Sequence, residues 1–170
     1  MSTGHGDAPV ESLPSLVWRC ASFDALSARE LHGIHMARQR VFVVEQGCAF
    51  LDADPADELA RHLTGLARGE QEPLAYARLL PPGAKYADAS IGRVLTAFSV
   101  RGHGLGRELM QRALSLVAST WPGAAVRISA QSRLEPFYAS FGFAPVGDRY
   151  LEDGIDHTEM VLSAKAAAAF

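Results

Sequence analysis

The spacing of apolar positions along the chain changes several times, and each change marks an element. "LVWRCA" at 16–21 is short, apolar-rich and bounded by polar residues, and it reads as a first strand. Across "SARELHGIHMARQRVFVVEQ" (27–46), Leu31, Ile34, Val41 and Phe42 form an intermittent apolar face at helical spacing. Ser27 followed by Glu30 is the capping-box spacing that satisfies amides at a helix start. The β-branched run that follows is expected to break this helix near Val43. "DADPADELA" (52–60) is acidic and turn-forming and reads as a loop. "RHLTGLAR" (61–68) and "PLAYARLL" (73–80), separated by "GEQE", read as a hairpin, and "IGRVLTAFSV" (91–100) as a third long strand. From Leu105, apolar residues at 105, 109, 113, 116 and 117 keep the helical period to about Ser119. "AAVRISA" (124–130) is a short buried strand, and "LEPFYASFGF" (134–143) a short helix closed by Gly142. Two last strands, near 144–150 and 157–162, enclose "LEDGID".

The order is antiparallel strands, a strand–helix–strand–helix unit, then terminal strands. That order predicts an α/β domain with a mixed central sheet of about six or seven strands flanked by helices. Residues 1–15, rich in Gly, Pro and Ser, are expected to be a flexible segment, 16–163 the single domain, and 164–170 a tail with helix-forming composition and no site.

Composition narrows the function classes. The 170 residues amount to about one domain, and 48% hydrophobic content fills a core. A formal charge of -3 with mixed signs argues against a nucleic-acid partner. Cys20 and Cys48 are too few for a disulfide framework and have no metal-ligand spacing, so a reduced, cytoplasmic setting without a metal is expected. His32 and His35 stand one turn apart but lack a third ligand. "MSTGHGDAPVESLPS" lacks the basic and apolar regions of a secretory leader, and no run approaches the roughly 18 apolar residues of a membrane helix.

The chemistry concentrates in "VRGHGLGREL" (100–109), where glycines precede a helix. A helix start exposes about four amides without internal partners, and glycines let a bulky anion approach them closely. The run G-x-x-x-x-G-K-[ST] does not occur, and G-x-G-x-x-G fails because Arg107 stands where its last glycine belongs. What remains is R-x-x-G-x-G, formed by Arg101, Gly104 and Gly106, with amides of 102–107 as donors to a pyrophosphate and Arg101 or Arg107 lending charge. Alone, the stretch also fits a glycine-rich connector that binds nothing.

With "SAQSRLEPFYASFGF" (129–143) downstream, this loop resembles the GNAT superfamily of acyl-CoA-dependent N-acetyltransferases. "RQRVFVVEQGC" (38–48), "AYARLL" (75–80), "IGRV" (91–94) and "EDGIDHTEM" (152–160) resemble its ElaA branch, and the likeness spans most of 17–162. The resemblance implies a GNAT-type sheet splayed between strands 91–100 and 124–130, with acetyl-CoA as cosubstrate in the opening. It implies that Val94, Leu95 and Thr96 pair with the pantetheine arm. Arg101, Gly102, His103, Gly104, Leu105, Gly106 and Arg107 would hold the pyrophosphate, Gln131 would occupy a position usually held by Asn, and Tyr138 would face the thioester sulfur as proton donor to the CoA thiolate.

In the implied reaction a primary amine, on a small molecule or a peptide, attacks the thioester directly. An α-amine with pKa near 7.8 is roughly 15% neutral at pH 7, whereas a lysine amine near 10.4 is neutral about once in 2,500 molecules. A lysine-like acceptor therefore needs a base. Strand 91–100 carries no acid and holds Arg93 instead, so Glu45, driven toward the core by the apolar run before it, is the candidate, with a partly desolvated carboxylate. An ion pair of Glu45 with Arg38, Arg40 or Arg93 is the competing role. Tyr76 and Arg78 share one side of their strand, and with Arg93 and His157 they are the candidate substrate-binding residues. A non-catalytic CoA-binding sensor on the same fold is the rival reading. The arginine–phenylalanine spacing of "RQRVFV" is also similar to that of acyl-homoserine-lactone synthases. Oligomeric state is open, a homodimer included.

Overall fold

The computed structural model describes residues 14–170, so most of the segment expected to be flexible lies outside the described residues. Among the described residues eight strands, numbered in chain order, form one mixed sheet in the order β1-β2-β3-β4-β5-β8-β6, with β7 also paired to β8. The first half is an antiparallel meander: β1 (Leu16–Ser22), β2 (Arg61–Ala67), β3 (Ala75–Leu80) and β4 (Ala89–Thr96). The second half is β5 (Val126–Gln131) against β8 (Ile155–Leu162), flanked by β6 (Ala144–Pro145) and β7 (Tyr150–Glu152). Asp153 (φ 50°) and Gly154 (φ 79°) join β7 to β8, the positive pair that a two-residue hairpin turn demands.

The halves meet at one parallel seam, and it is short. β4 and β5 pair only at Ala89↔Val126 and Ser90↔Arg127. Beyond that point β4 bulges: Tyr76 faces Leu95 and Arg78 faces Gly92, which leaves Arg93 and Val94 opposite Ala77, with Arg93 at φ 50°. An extra residue in one strand bends it and ends regular pairing. The sheet therefore splays between β4 and β5, as expected from sequence.

Helix α2 (Leu105–Thr120) closes one face of the sheet, burying Leu105, Leu109, Met110, Ala113, Leu114 and Val117 against Leu63, Ala77, Ile91, Val126 and Ile128. Short α3 (Glu135–Ala139) and α4 (Ala164–Ala167) pack on the same side, and the tail residue Phe170 tilts against Phe141. The opposite face takes α1 (Ala28–Arg38), whose Ile34 and Ala37 meet Tyr76 and Leu95. The Ser27–Glu30 capping box is formed. Past Arg38 the chain does not break at Val43; it continues as a π-helical segment, Gln39–Glu45. The crowded β-branched side chains are accommodated by widening the turn, and such widened turns recur at functional sites. The acidic stretch also differs from a bare loop, because Pro55–Leu59 forms a 3₁₀ turn capped by Asp54. No helix among the described residues is long and apolar enough to cross a membrane.

Candidate functional site

The glycine loop joins β4 to α2 at the mouth of the splay. Gly102 (φ 83°) and Gly104 (φ 82°) both adopt the left-handed conformation, and Gly104 is the N-cap of α2 without a side-chain cap. Along the loop, Arg101 N donates to Phe98 O, and the next amides with backbone acceptors are Arg107 N and Glu108 N, both on Gly104 O. Between them, the amides of Gly102, His103, Gly104, Leu105 and Gly106 have no protein acceptor among the described residues. A Cβ at Gly102 or Gly104 would meet nothing within 4 Å, so nothing packs against the loop at either position. The positive end of a 16-residue helix adds its field to them. This cradle fits a diphosphate.

Two sides of the opening carry the other residues. On the β4 side, Val94 packs partly against the main core, Leu95 is buried under α1, and the Thr96 carbonyl accepts two bonds from Arg101, at 3.1 Å from Nε and 3.0 Å from Nη2. On the β5 side, Gln131 lies across from His157 in register. His157 Nδ1 donates to Ile155 O at 2.8 Å, which leaves Nε2 as an acceptor, and its ring stacks on Tyr150. His103 Nδ1 likewise donates to Arg101 O, and Arg107 bonds Ser140 while lying over Phe141.

Tyr138 stands on α3 with its ring edge-on to Phe137 and Phe143. It is only 7% exposed, and burial pushes its pKa up to about 12. Its hydroxyl has no hydrogen-bond partner among the described residues, yet it is not among the enclosed unsatisfied atoms, so it reaches accessible space. The phenol is therefore fully protonated at neutral pH and has a donor to spare.

Glu45 differs from expectation in partner and exposure. Its carboxylate grips Arg101 through both oxygens, at 2.5 Å from Nη1 and 3.0 Å from Nη2, and both side chains are 37% exposed. Arg101, the first residue of the loop, was not among the arginines expected to compete for it. Next to it, Gln46 Oε1 accepts from Gln131 Nε2 at 3.3 Å. An apolar cavity of about 270 Å³, lined by Ala37, Val41, Val44, Leu95, Ala97 and Phe98, opens beside Glu45.

Tyr76 and Arg78 do share a strand side, but that side is the floor of a buried charge network rather than an open wall. Arg78 Nη1 is bound to Asp54 (2.7 Å) and Asp57 (2.8 Å), and Arg38, fully buried, binds Asp52 (2.6 Å) and Asp57 (2.7 Å). Tyr76 lies under the Arg38 guanidinium and hydrogen-bonds His62 Nδ1, whose Nε2 donates to Asp57 O. Neither side chain presents a surface that an acceptor could reach, which corrects their assignment to substrate binding. Burial raises the Asp57 carboxyl, but hydrogen bonds from Arg38 and Arg78 more than offset it and hold its pKa at about 2. Burial likewise keeps His62 below its ordinary value and Tyr76 above it. Arg93 is the member that reaches outward. Its Nε binds Asp52 at 2.7 Å, its guanidinium lies over Phe42 and Phe50, and its side chain stays 26% exposed at the bulge. Sequence reasoning missed the network because Asp52, Asp54 and Asp57 meet arginines 14 to 41 residues away. The one legible signal was three acids at 52, 54 and 57 in a chain with few other acidic clusters. Among the described residues no group of three His, Cys, Asp or Glu could hold a metal ion.

Comparison with known proteins decides the family. The model of the acetyltransferase (GNAT) domain matches residues 61–164, which contain β2 to β8, the loop and Tyr138. The chain belongs to the GNAT family of acetyltransferases. Within GNAT proteins it is similar to the ElaA protein of Escherichia coli, 38% identical over 146 residues, or 84% of this chain and 94% of that one. A UPF0039 protein of Synechocystis is 42% identical over 85% of this chain and 93% of its own length. Among solved GNAT structures, an acyl-CoA N-acyltransferase from Pseudomonas aeruginosa superposes with a TM-score of 0.82 at 38% identity, covering 86% of this chain and 99% of that one. E. coli ElaA gives 0.80 at 36% identity, covering 86% and 98%. The acyl-homoserine lactone synthase BjaI, at 16% identity and a TM-score of 0.69, shares the fold alone.

Proposed function

We propose that this acyltransferase moves an acetyl group from acetyl-CoA to a primary amine by direct attack, in the cytoplasm and without a metal. The observation that supports it most is the row of five unpaired amides, Gly102 to Gly106, at the splayed edge of the sheet. These amides would hold the diphosphate, with Arg107 adding charge. The edge of β4 at Val94, Leu95 and Thr96, where pairing with β5 has ended, would hold the pantetheine arm through backbone groups, and Gln131 would bound the other side. When bound, acetyl-CoA supplies a thioester whose acyl carbon accepts the amine while the sulfur departs with the bonding pair.

Tyr138 holds a proton at a pKa of about 12, well above the roughly 8.5 of a free thiol. The phenol therefore stabilises developing charge on sulfur first as a hydrogen-bond donor, since complete transfer is uphill by roughly 5 kcal/mol. The Glu45 carboxylate is the base that would take the amine's proton, and Arg93 and His157, half-exposed on either side of the opening, would orient the acceptor. Turnover of acetyl-CoA with a panel of primary amines, read by free thiol release, tests the reading. Release with at least one amine supports it. Carrier binding without release for any amine supports a CoA sensor, which the acid-free strand β4 would suit.

A further inference from the structure

One corner of the chain holds residues from both sides of the splay. Glu45 and Gln46 are consecutive at the end of the π-helical segment, and they bind Arg101 beyond β4 and Gln131 at the end of β5. Both of those side chains belong to the carrier's expected contacts. Arg101 is committed completely: Nη1 to Glu45, Nη2 to Glu45 and the Thr96 carbonyl, Nε to the same carbonyl. Thr96 in turn lies on the strand expected to pair with pantetheine. The carrier-free protein thus satisfies, with its own groups, three polar partners that the carrier would claim.

We propose that the Glu45–Gln46 corner is an internal stand-in for the carrier, displaced from Arg101 and Gln131 when the carrier's phosphates arrive, so that Glu45 becomes unpaired only in the loaded protein. This rests on the reading above that the glycine loop takes the diphosphate. The exchange is favourable because a diphosphate brings more negative charge to a guanidinium than one carboxylate does, and the five amides add partners that Glu45 cannot reach. The pair sits at the end of a π-helical turn, a rare geometry that recurs at functional sites. Once released, the carboxylate borders the apolar cavity beside Val44 and Phe98. There it takes a proton from the acceptor's ammonium group, whose nitrogen keeps the electron pair and becomes the nucleophile. Proton removal is thereby tied to carrier binding.

Calorimetric titration of coenzyme A into the wild-type protein and Glu45→Gln tests the exchange, with pantetheine as the probe that lacks the diphosphate. Removing an exposed pair of this kind frees about a fivefold effect, so Glu45→Gln binds coenzyme A about fivefold more tightly and pantetheine unchanged. Gln46→Ala shows a smaller gain in the same direction. Coenzyme A also raises the melting temperature of Glu45→Gln by more than that of the wild type, a readout independent of turnover. Equal or weaker affinity in Glu45→Gln, or an equal gain for pantetheine, overturns the exchange while leaving the carrier reading intact. No coenzyme A binding by either protein overturns both.

Discussion

Two regions of this protein treat buried polar chemistry in opposite ways. Beneath α1, three arginines and three aspartates close on one another so fully that Arg78 Nε is the one enclosed side-chain atom without a partner among the described residues. At the start of α2, five consecutive amides have no protein acceptor among the described residues. The first region costs several kcal/mol per ion to desolvate and recovers it through paired hydrogen bonds. The second leaves its donors for something outside the chain. Charge density alone would have pointed to the wrong one. Satisfaction of donors separates the two regions: Tyr76 and Arg78 are bound within the scaffold, while the less conspicuous glycines are the ones proposed to hold the carrier.

The sharpest way to break the contrast is to unpair the first region. Asp57→Ala leaves Arg38 and Arg78 buried without their shared carboxylate, and stability falls by about 3–5 kcal/mol, read as a lower urea midpoint. The same carboxylate sets an acid limit. Its folded pKa, about 2, lies below the ordinary 3.8, so its contribution is complete above about pH 4 and is lost as pH falls toward 2. Thermal melts of the wild type decline across that window, and those of Asp57→Ala decline less.

Next in size, Gly104→Glu puts a carboxylate in front of the open amides. Like-charge contact of this kind lowers affinity about a hundredfold or more. The fold pays only about 1–2 kcal/mol for a side chain at φ 82°, because a Cβ there meets no neighbour. Unchanged coenzyme A affinity would return the loop to a mere connector. Tyr138→Phe removes one unpartnered hydroxyl and leaves the edge-on ring contacts in place. Turnover falls about a hundredfold, and coenzyme A affinity stays within about twofold. An undiminished rate would make the tyrosine a packing residue. Smallest of all, Gly106→Ala keeps its amide and brings a methyl group to ordinary contact distance, 3.8 Å, from Phe137. Its melting temperature rises slightly, and affinity changes by no more than a few fold.

Local signals were readable before the fold. Ser27 and Glu30 are neighbours on one helical turn, and the glycines of 102–106 stand directly before a helix. Pairings across the sheet were not readable. Nothing in the spacing of "DADPADEL" says that its carboxylates will fold under α1, because side chains 14 to 41 residues apart meet only once the sheet exists. Glu45 shows the same limit. Its position after an apolar run suggested burial, but the widened turn from Gln39 to Glu45 brings it to Arg101 at the surface instead.

Amide proton–nitrogen spectra recorded during a coenzyme A titration test the central claim most directly. The amides of Gly102, His103, Gly104, Leu105 and Gly106 should show the largest shifts, saturating together with the calorimetric binding curve. Saturable binding that leaves those five resonances in place, with the changes gathered elsewhere, would contradict it.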